Sequence, residues 1–208
     1  MANKNIFIDC GTHCFQGFKD FANKYNIDSN WDCYCFEANP FTYNESKKYY
    51  NELISSGYNI THYNRAVSNK TGKIKVNCSL EWDKDPNNKE SYFNQGSNIL
   101  DNPPNWEQCV NRNYDYISND VFVDCEDFSN FILSNCNSDD YVLIKMDIEG
   151  SEFDVLSSLI ETNAYKLINE IYCEWHHRFF NDQREYHKLS ENIKRTFLEN
   201  NILLYDWI

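Results

Sequence analysis

The 208-residue chain reads as a three-layer α/β domain, a mostly parallel central sheet with helices on both faces. Three observations predict this. Short apolar runs rich in Ile, Val, Phe and Tyr alternate with longer stretches whose apolar residues recur at helical spacing. The runs end in polar residues, as strands do where they open at one edge of a sheet. No repeat or linker interrupts the alternation, and the length suits one sizeable core, so residues 1–208 are expected to form a single domain. A strand beginning by residue 5 and another running to Ile208 leave no tails, which makes the chain a candidate for one domain of a larger polypeptide.

The first strand is "NIFIDC"; in the following "FQGFKDFANKYN", Phe15, Phe18, Phe21, Ala22 and Tyr25 fall at helical spacing. "NWDCYCFEANP" is a buried strand closed by Pro40, with Cys33 and Cys35 on one face of the sheet. "FTYNESKKYYNELISSG" is a helix that Gly57 stops. "NITHYNRAVS" makes a third strand, and the turn "NKTG" leads into a short extra one, "GKIKVNCS". Residues 83–119 hold three of the four prolines and many Asn without periodicity, so they are either a functional loop or a surface insertion. Order returns with the "VFVDCED" strand and the "FSNFILSNC" helix. A buried strand from Tyr141 to Met146 then runs into Asp147, Glu149 and Gly150. The helix behind it carries Phe153, Val155, Leu156, Leu159 and Ile160 on its apolar positions. "LINEIYCEWHH" is a strand, "QREYHKLSENIKRTFLENN" a helix and "ILLYDWI" the last strand.

Composition narrows the function classes. With 41% hydrophobic and 16% aromatic residues the chain can pack an interior. A net charge of -13 repels a phosphate backbone, so nucleic acid is not an expected partner. There is neither an apolar run of the ~20 residues a membrane span needs nor an export signal, so a soluble cytoplasmic protein is expected. The nine cysteines form no CxxC pair, which suggests reduced, mostly core-packed thiols rather than a disulfide framework or a zinc ribbon.

In a parallel sheet, ligands bind beyond the carboxyl ends of the strands, where strand order reverses. The residues at those exits are Asp9 and Gly11, Glu37 and Asn39, Asn64 and Arg65, Asp147 and Glu149, and Glu174 with His176. Glu37 can accept both ribose hydroxyls of a nucleoside, although it lies 26 positions after Gly11, beyond the usual spacing of ~20. The glycine-rich loop that admits a pyrophosphate is missing: "CGTHCFQG" holds no G-x-G-x-x-G, and the bulky Phe15 stands within it. A ribonucleoside cofactor without phosphates therefore fits better than NAD or FAD.

The segments "FIDCGTHCFQGFKDF", "CFEANP", "RAVSNKTG", "GSNIL", "CEDF", "YVLIKMDIEGSEFDVL" and "IYCEW" follow the order and approximate spacing of the FkbM-like methyltransferases, which the chain resembles over nearly its whole length. "IKMDIEGSEFDVL" is the most specific match. The resemblance implies a Rossmann-like class I methyltransferase fold and S-adenosylmethionine as methyl donor, with S-adenosylhomocysteine as product. It also implies O-methylation of a sugar hydroxyl on a glycan or glycolipid, a deoxyhexose being one such sugar. Fusion to glycosyltransferase domains would fit that setting. A small-molecule O-methyltransferase, for example of a polyketide, and a non-catalytic module that kept the cofactor fold are the other readings. Carried over by position, Asp9 and Gly11 shape the methionine-side loop, Glu37 holds the ribose, Asn64, Arg65 and Ala66 border the adenine, and Asp147 faces the reactive centre. At His13 and Phe15 the chain departs from the family, which more often has Asn and Gly, and His13 becomes a candidate contact to cofactor or substrate.

An alcohol becomes a good nucleophile when a base takes its proton. Asp147 is the first candidate, His176, His177 and Glu174 are alternatives, and His13 is a more distant one. Lys145 and Glu149 either orient Asp147 or bind acceptor hydroxyls. Asp147, Glu149, Glu174 and His176 have a second use open to them, an oxygen-rich site for a divalent ion such as Mg²⁺. Acceptor choice is expected in residues 83–119 and beside them, where Trp82, Tyr92, Phe93, Trp106, Tyr114 and Tyr116 offer flat faces for a sugar ring.

Overall fold

The computed structural model describes residues 3–80, 96–100, 115–116 and 121–207. Its main sheet has six strands: β1 (Asn5–Cys10), β2 (Trp31–Phe36), β3 (Ile60–Tyr63), β9 (Tyr141–Met146), β10 (Glu170–Cys173) and β11 (Leu203–Asp206). They lie in the order β11-β10-β9-β1-β2-β3, every neighbouring pair parallel. Strand order reverses between β1 and β9. That junction is where a parallel sheet opens its ligand crevice.

Alternation along β1 separates two cores. Ile6, Ile8 and Cys10 pack with Phe128 and Ile132 of α3 (Phe128–Asn135), Leu156 and Leu159 of α4 (Glu152–Glu161), and Ile193 and Phe197 of α5 (Gln183–Glu199). Phe7 faces the other way, onto Phe18 and Phe21 of α1 (Gln16–Tyr25) and Leu53 of α2 (Pro40–Ser55). Cys33 and Cys35 both point into this second core, and the eight cysteines among the described residues are all free thiols. Helices thus cover both faces, giving the expected three layers.

Helix starts show why the chain turns where it does. Asn39 caps α2 by accepting from the N–H groups of Phe41 and Thr42, with Pro40 in the first turn. Asp127 caps α3 in the same way through Asn130 N–H. α1 begins differently: Phe15 stands at its N-cap in the left-handed region, φ 65°, with no side-chain cap.

Two expected strands are revised. "NITHYNRAVS" is two elements, because after β3 the chain leaves the main sheet at Asn64, whose amide donates to the carbonyls of Glu37 and Ala38. Its second part, β4 (Arg65–Ser68), joins a separate three-stranded sheet with β8 (Val121–Asp127) and β5 (Gly72–Val76), in the order β4-β8-β5. The two-residue strands β6 (Ser79–Leu80) and β7 (Asp115–Tyr116) pair with each other. The strand expected over "LINEIYCEWHH" contracts to β10, flanked by 3-10 turns at Ala164–Leu167 and His177–Phe179, so His176 sits in the bend beyond the strand. No helix among the described residues is long and apolar enough to cross a membrane.

Candidate active site

The site grows out of the β1/β9 junction. The parallel register sets Asp9 opposite Lys145, and both side chains are buried. Lys145 Nζ donates to the Gly11 carbonyl at 2.7 Å and lies 3.2 Å from Asp9 Oδ1 and 3.7 Å from Asp147 Oδ2. Burial alone would lower the lysine pKa; the charges of Asp9 and Asp147 outweigh it and hold the ammonium above its ordinary value. Thr12 donates to the other Asp9 oxygen at 2.7 Å. Gly11 has φ 79°, and a Cβ there would lie 1.8 Å from the Asp147 carbonyl oxygen, so the loops after β1 and β9 meet backbone to backbone.

The loops after β1 and β2 are tied together by Glu37. Its buried carboxylate accepts from Asn39 N–H at 2.8 Å and from His13 N–H at 3.0 Å, one bond to each oxygen. Burial raises its pKa, with the His13 charge and the two backbone hydrogen bonds pulling the other way. His13 and Phe15 both adopt positive φ, 48° and 65°, the conformation that glycine would hold most easily. Phe15 instead sinks its ring fully into the core against Phe18 and His62.

The loop after β9 carries the acidic groups. Glu149 and Gly150 have φ 53° and 104°, a sharp reversal that Glu152 holds from the start of α4. One Glu152 oxygen accepts Ile148 N–H at 3.0 Å and the other Gly150 N–H at 2.9 Å, and the carboxylate also meets His176 Nδ1 at 2.8 Å. A carboxylate cannot donate here, so Nδ1–H is the donor and Nε2 is the nitrogen offered to the site. Around Nε2 stand Glu149 Oε2 at 3.2 Å, Glu174 Oε1 at 3.4 Å and Asp147 Oδ1 at 3.9 Å. Burial raises Glu149 to about 7, with Asp147 and Glu152 adding to the shift and His176 opposing it. For His176 burial would lower the pKa, but the charge and hydrogen bond of Glu152, then Glu149 and Asp147, raise it to about 10.

Of the residues singled out in the sequence, Asp9, Gly11, Lys145 and Asp147 form one contact group, and Asp147, Glu149, Glu174 and His176 another that shares Asp147. His13 joins Glu37. Asn64 fastens the exit of β2, whereas Arg65 pairs with Glu126 and Ala66 packs into the core of the second sheet. His177 Nε2 lies 2.9 Å from Ser190 of α5, and its ring stacks on His187. Trp82, Tyr92, Phe93, Trp106 and Tyr114 lie outside the described residues, as do the side chain of Tyr116 and most of residues 83–119. Of this segment, residues 96–100 are tied to Asn39 and Asn77 and lie against Gly150. Asn39 donates to Ser97, Asn77 to Asn98 and the Leu100 carbonyl, and a Cβ on Gly150 would stand 2.7 Å from Leu100. Sequence reasoning missed Glu152. It looked like an ordinary acid in a helix first turn; only its complete burial marks it as the group that organises the loop.

A parallel sheet reversing at β1/β9, an acid at the end of β2 and a charged cluster at the end of β9 define a Rossmann-like domain whose crevice opens at that junction. The crystal structure of a methyltransferase FkbM from Methylobacillus flagellatus KT shares this fold, with a TM-score of 0.53 at 12% identity over 92% of the chain. The chain spans only 37% of that protein. The chain belongs to the methyltransferase FkbM domain family, whose model matches residues 9–199. No curated protein is significantly similar in sequence.

Proposed function

We propose that this domain transfers a methyl group from S-adenosylmethionine to a hydroxyl group, with a sugar of a glycan or glycolipid as acceptor. The observation that carries the reading is the partly exposed Asp147, 32% open at the exit of β9, fixed beside the buried Asp9–Lys145 pair where strand order reverses. The donor set fits the cofactor. Glu37 gives each carboxylate oxygen one backbone hydrogen bond, which leaves each a further acceptor site for a ribose hydroxyl. Asp9, Asp147, Glu149 and Glu174 outnumber Lys145 and favour a ligand with a cationic centre. Bound S-adenosylmethionine supplies an electrophilic methyl whose bond to sulfur breaks with its electron pair remaining on sulfur.

Asp147 takes the proton from the acceptor hydroxyl as the oxygen bonds to the methyl carbon. Lys145, 3.7 Å away, holds the Asp147 carboxylate in place. When no cation is bound beside it, His176, its pKa raised to about 10, carries a proton at neutral pH and is not the base. The tie of residues 96–100 to Asn39 and against Gly150 supports an acceptor-selecting role for the longer segment around them.

The test is a thermal shift with S-adenosylhomocysteine and, separately, NAD, followed by mass spectrometry of a panel of glycans incubated with protein and S-adenosylmethionine. A rise in melting temperature with S-adenosylhomocysteine alone, and a gain of methyl groups on a sugar, are expected. Methylation of polyketides but of no sugar would replace the acceptor class. Absence of any shift would overturn the cofactor assignment and favour a binding module without chemistry.

A further inference from the structure

We propose that Asp147, Glu149 and His176 bind one divalent cation of the Mn²⁺ and Mg²⁺ type, with Glu174 bordering the ion and Glu152 aiming the imidazole. One oxygen from each carboxylate and one ring nitrogen lie within 4.8 Å of one another, drawn from two loops far apart in sequence. Donor atoms that share an ion at ~2.1 Å stand between about 3.0 Å apart at right angles and about 4.2 Å apart when opposed. The distances from His176 Nε2 to Glu149, 3.2 Å, and to Asp147, 3.9 Å, fall in that range.

A cluster of acids alone would be a solvated surface feature, but here two of the polar atoms are buried and unsatisfied. His176 is fully buried, and neither its Nε2 nor Glu149 Oε2 has a hydrogen-bond partner among the described residues. The two atoms stand 3.2 Å apart. The outer support is also present: Glu152 accepts from Nδ1 at 2.8 Å, which orients the ring and strengthens Nε2 as a ligand. Glu152 is itself held by the N–H groups of Ile148 and Gly150, so the same carboxylate sets the loop that carries Glu149. A proton on Nε2 and a cation beside it are alternative ways of neutralising the same carboxylates.

Two carboxylates and one imidazole with coordination positions left over suit Mn²⁺ above Mg²⁺, because the nitrogen ligand favours the transition ion. Ca²⁺, which takes six to eight oxygens, suits the set less well. The binding claim stands on these residues alone. Its use in the reaction, lowering the pKa of an acceptor hydroxyl bound at an open position, rests on the methyl-transfer reading.

Mn²⁺ is titrated into the full chain without cofactor or acceptor, and loss of the free-ion electron paramagnetic resonance signal is followed. One saturable site per chain is expected, with nitrogen coupling to the bound ion from His176. Asp147→Asn and His176→Ala are each expected to weaken binding at least tenfold, and His176→Ala to remove the nitrogen coupling. Glu152→Gln acts through the ring and should weaken binding about 10–100-fold. Circular dichroism checks that each variant folds, and Asp147→Asn, at a partly exposed position, keeps the test decisive if His176→Ala does not. Wild-type protein without saturable binding, or unchanged affinity in Asp147→Asn and a folded His176→Ala, overturns the site. A parallel thermal shift with S-adenosylhomocysteine separates the claims: cofactor binding without Mn²⁺ binding sinks the metal site alone, and Mn²⁺ binding without cofactor binding supports the metal site while sinking the methyl-transfer reading.

Discussion

Replacing Phe15 by glycine and by alanine separates two effects that this residue combines. Its φ of 65° is a conformation that costs a side-chain-bearing residue ~1–2 kcal/mol. Its ring is fully buried among Phe18, Tyr50 and His62, and truncating such a ring to a methyl group costs roughly 3–5 kcal/mol. The burial exceeds the strain, which is why phenylalanine can occupy a position suited to glycine. Both variants should therefore be destabilised. Alanine keeps the strain and loses the ring; glycine loses both, at an entropic cost of ~0.5–1 kcal/mol relative to alanine. The balance leaves Phe15→Gly more stable than Phe15→Ala by about 0.5–1 kcal/mol, a few degrees in melting temperature for a domain of this size. At an ordinary helical position the order is reversed. Thermal and urea unfolding of the two variants, followed by circular dichroism, make the comparison. If Phe15→Ala is clearly the more stable, Phe15 is not strained, and the account of the loop that presents His13 N–H to Glu37 fails.

Asp147→Ala should reduce methyl transfer by ~10²–10⁴-fold while leaving S-adenosylhomocysteine affinity within a few-fold, since the loss is of a base; full turnover would remove Asp147 from that role. Gly11→Ala places a methyl group 1.8 Å from the Asp147 carbonyl at a φ of 79°, so a loss of more than ~2 kcal/mol in stability and of cofactor binding is expected. Wild-type melting and affinity in that variant would show that the two loops do not meet as described. His62, half-buried beside Phe15 with Lys47 adding a positive charge, has its pKa lowered to about 4. As pH falls below ~6.5 the unfolded chain takes up a proton that the folded chain refuses until about 4, so stability declines through that window by on the order of 2 kcal/mol. His62→Phe should flatten this part of the urea midpoint against pH profile, and an unchanged slope would assign the acid sensitivity to other groups.

The sheet was legible because its strands are short apolar runs with polar exits, and the β1 and β9 boundaries follow from them. What the pattern could not carry was contact across the chain. Asn64 reads as a strand exit and stands at one, but its residue type does not reveal that its amide hydrogen-bonds to the carbonyls of Glu37 and Ala38 or that the chain changes sheet there. Lys145 reads either as a partner that orients Asp147 or as a contact to acceptor hydroxyls, and the sequence does not reveal the register that buries it against Asp9. Glu152 shows the limit most clearly, since its role depends on His176, 24 positions away in sequence.

The electrostatics of the β9 and β10 exits connect these observations. Asp9, Asp147, Glu149, Glu152 and Glu174 gather around one permanent buried cation, Lys145, and the more exposed Arg178, 3.8 Å from Glu174. Carboxylates brought together away from water repel one another and lose hydration, a cost of several kcal/mol that the fold has to offset elsewhere. A purely structural cluster would minimise that cost by pairing each acid. Here both Glu152 oxygens accept hydrogen bonds and Asp9 is held by the Thr12 hydroxyl and the Lys145 ammonium, whereas Asp147, Glu149 and Glu174 stand near His176 Nε2 without a hydrogen bond to it. The acids left incompletely neutralised are those nearest the crevice. Their field favours positive charge there, which suits both a sulfonium donor and a divalent ion, and the same field disfavours NAD, whose pyrophosphate would meet the carboxylates without a glycine-rich loop to receive it.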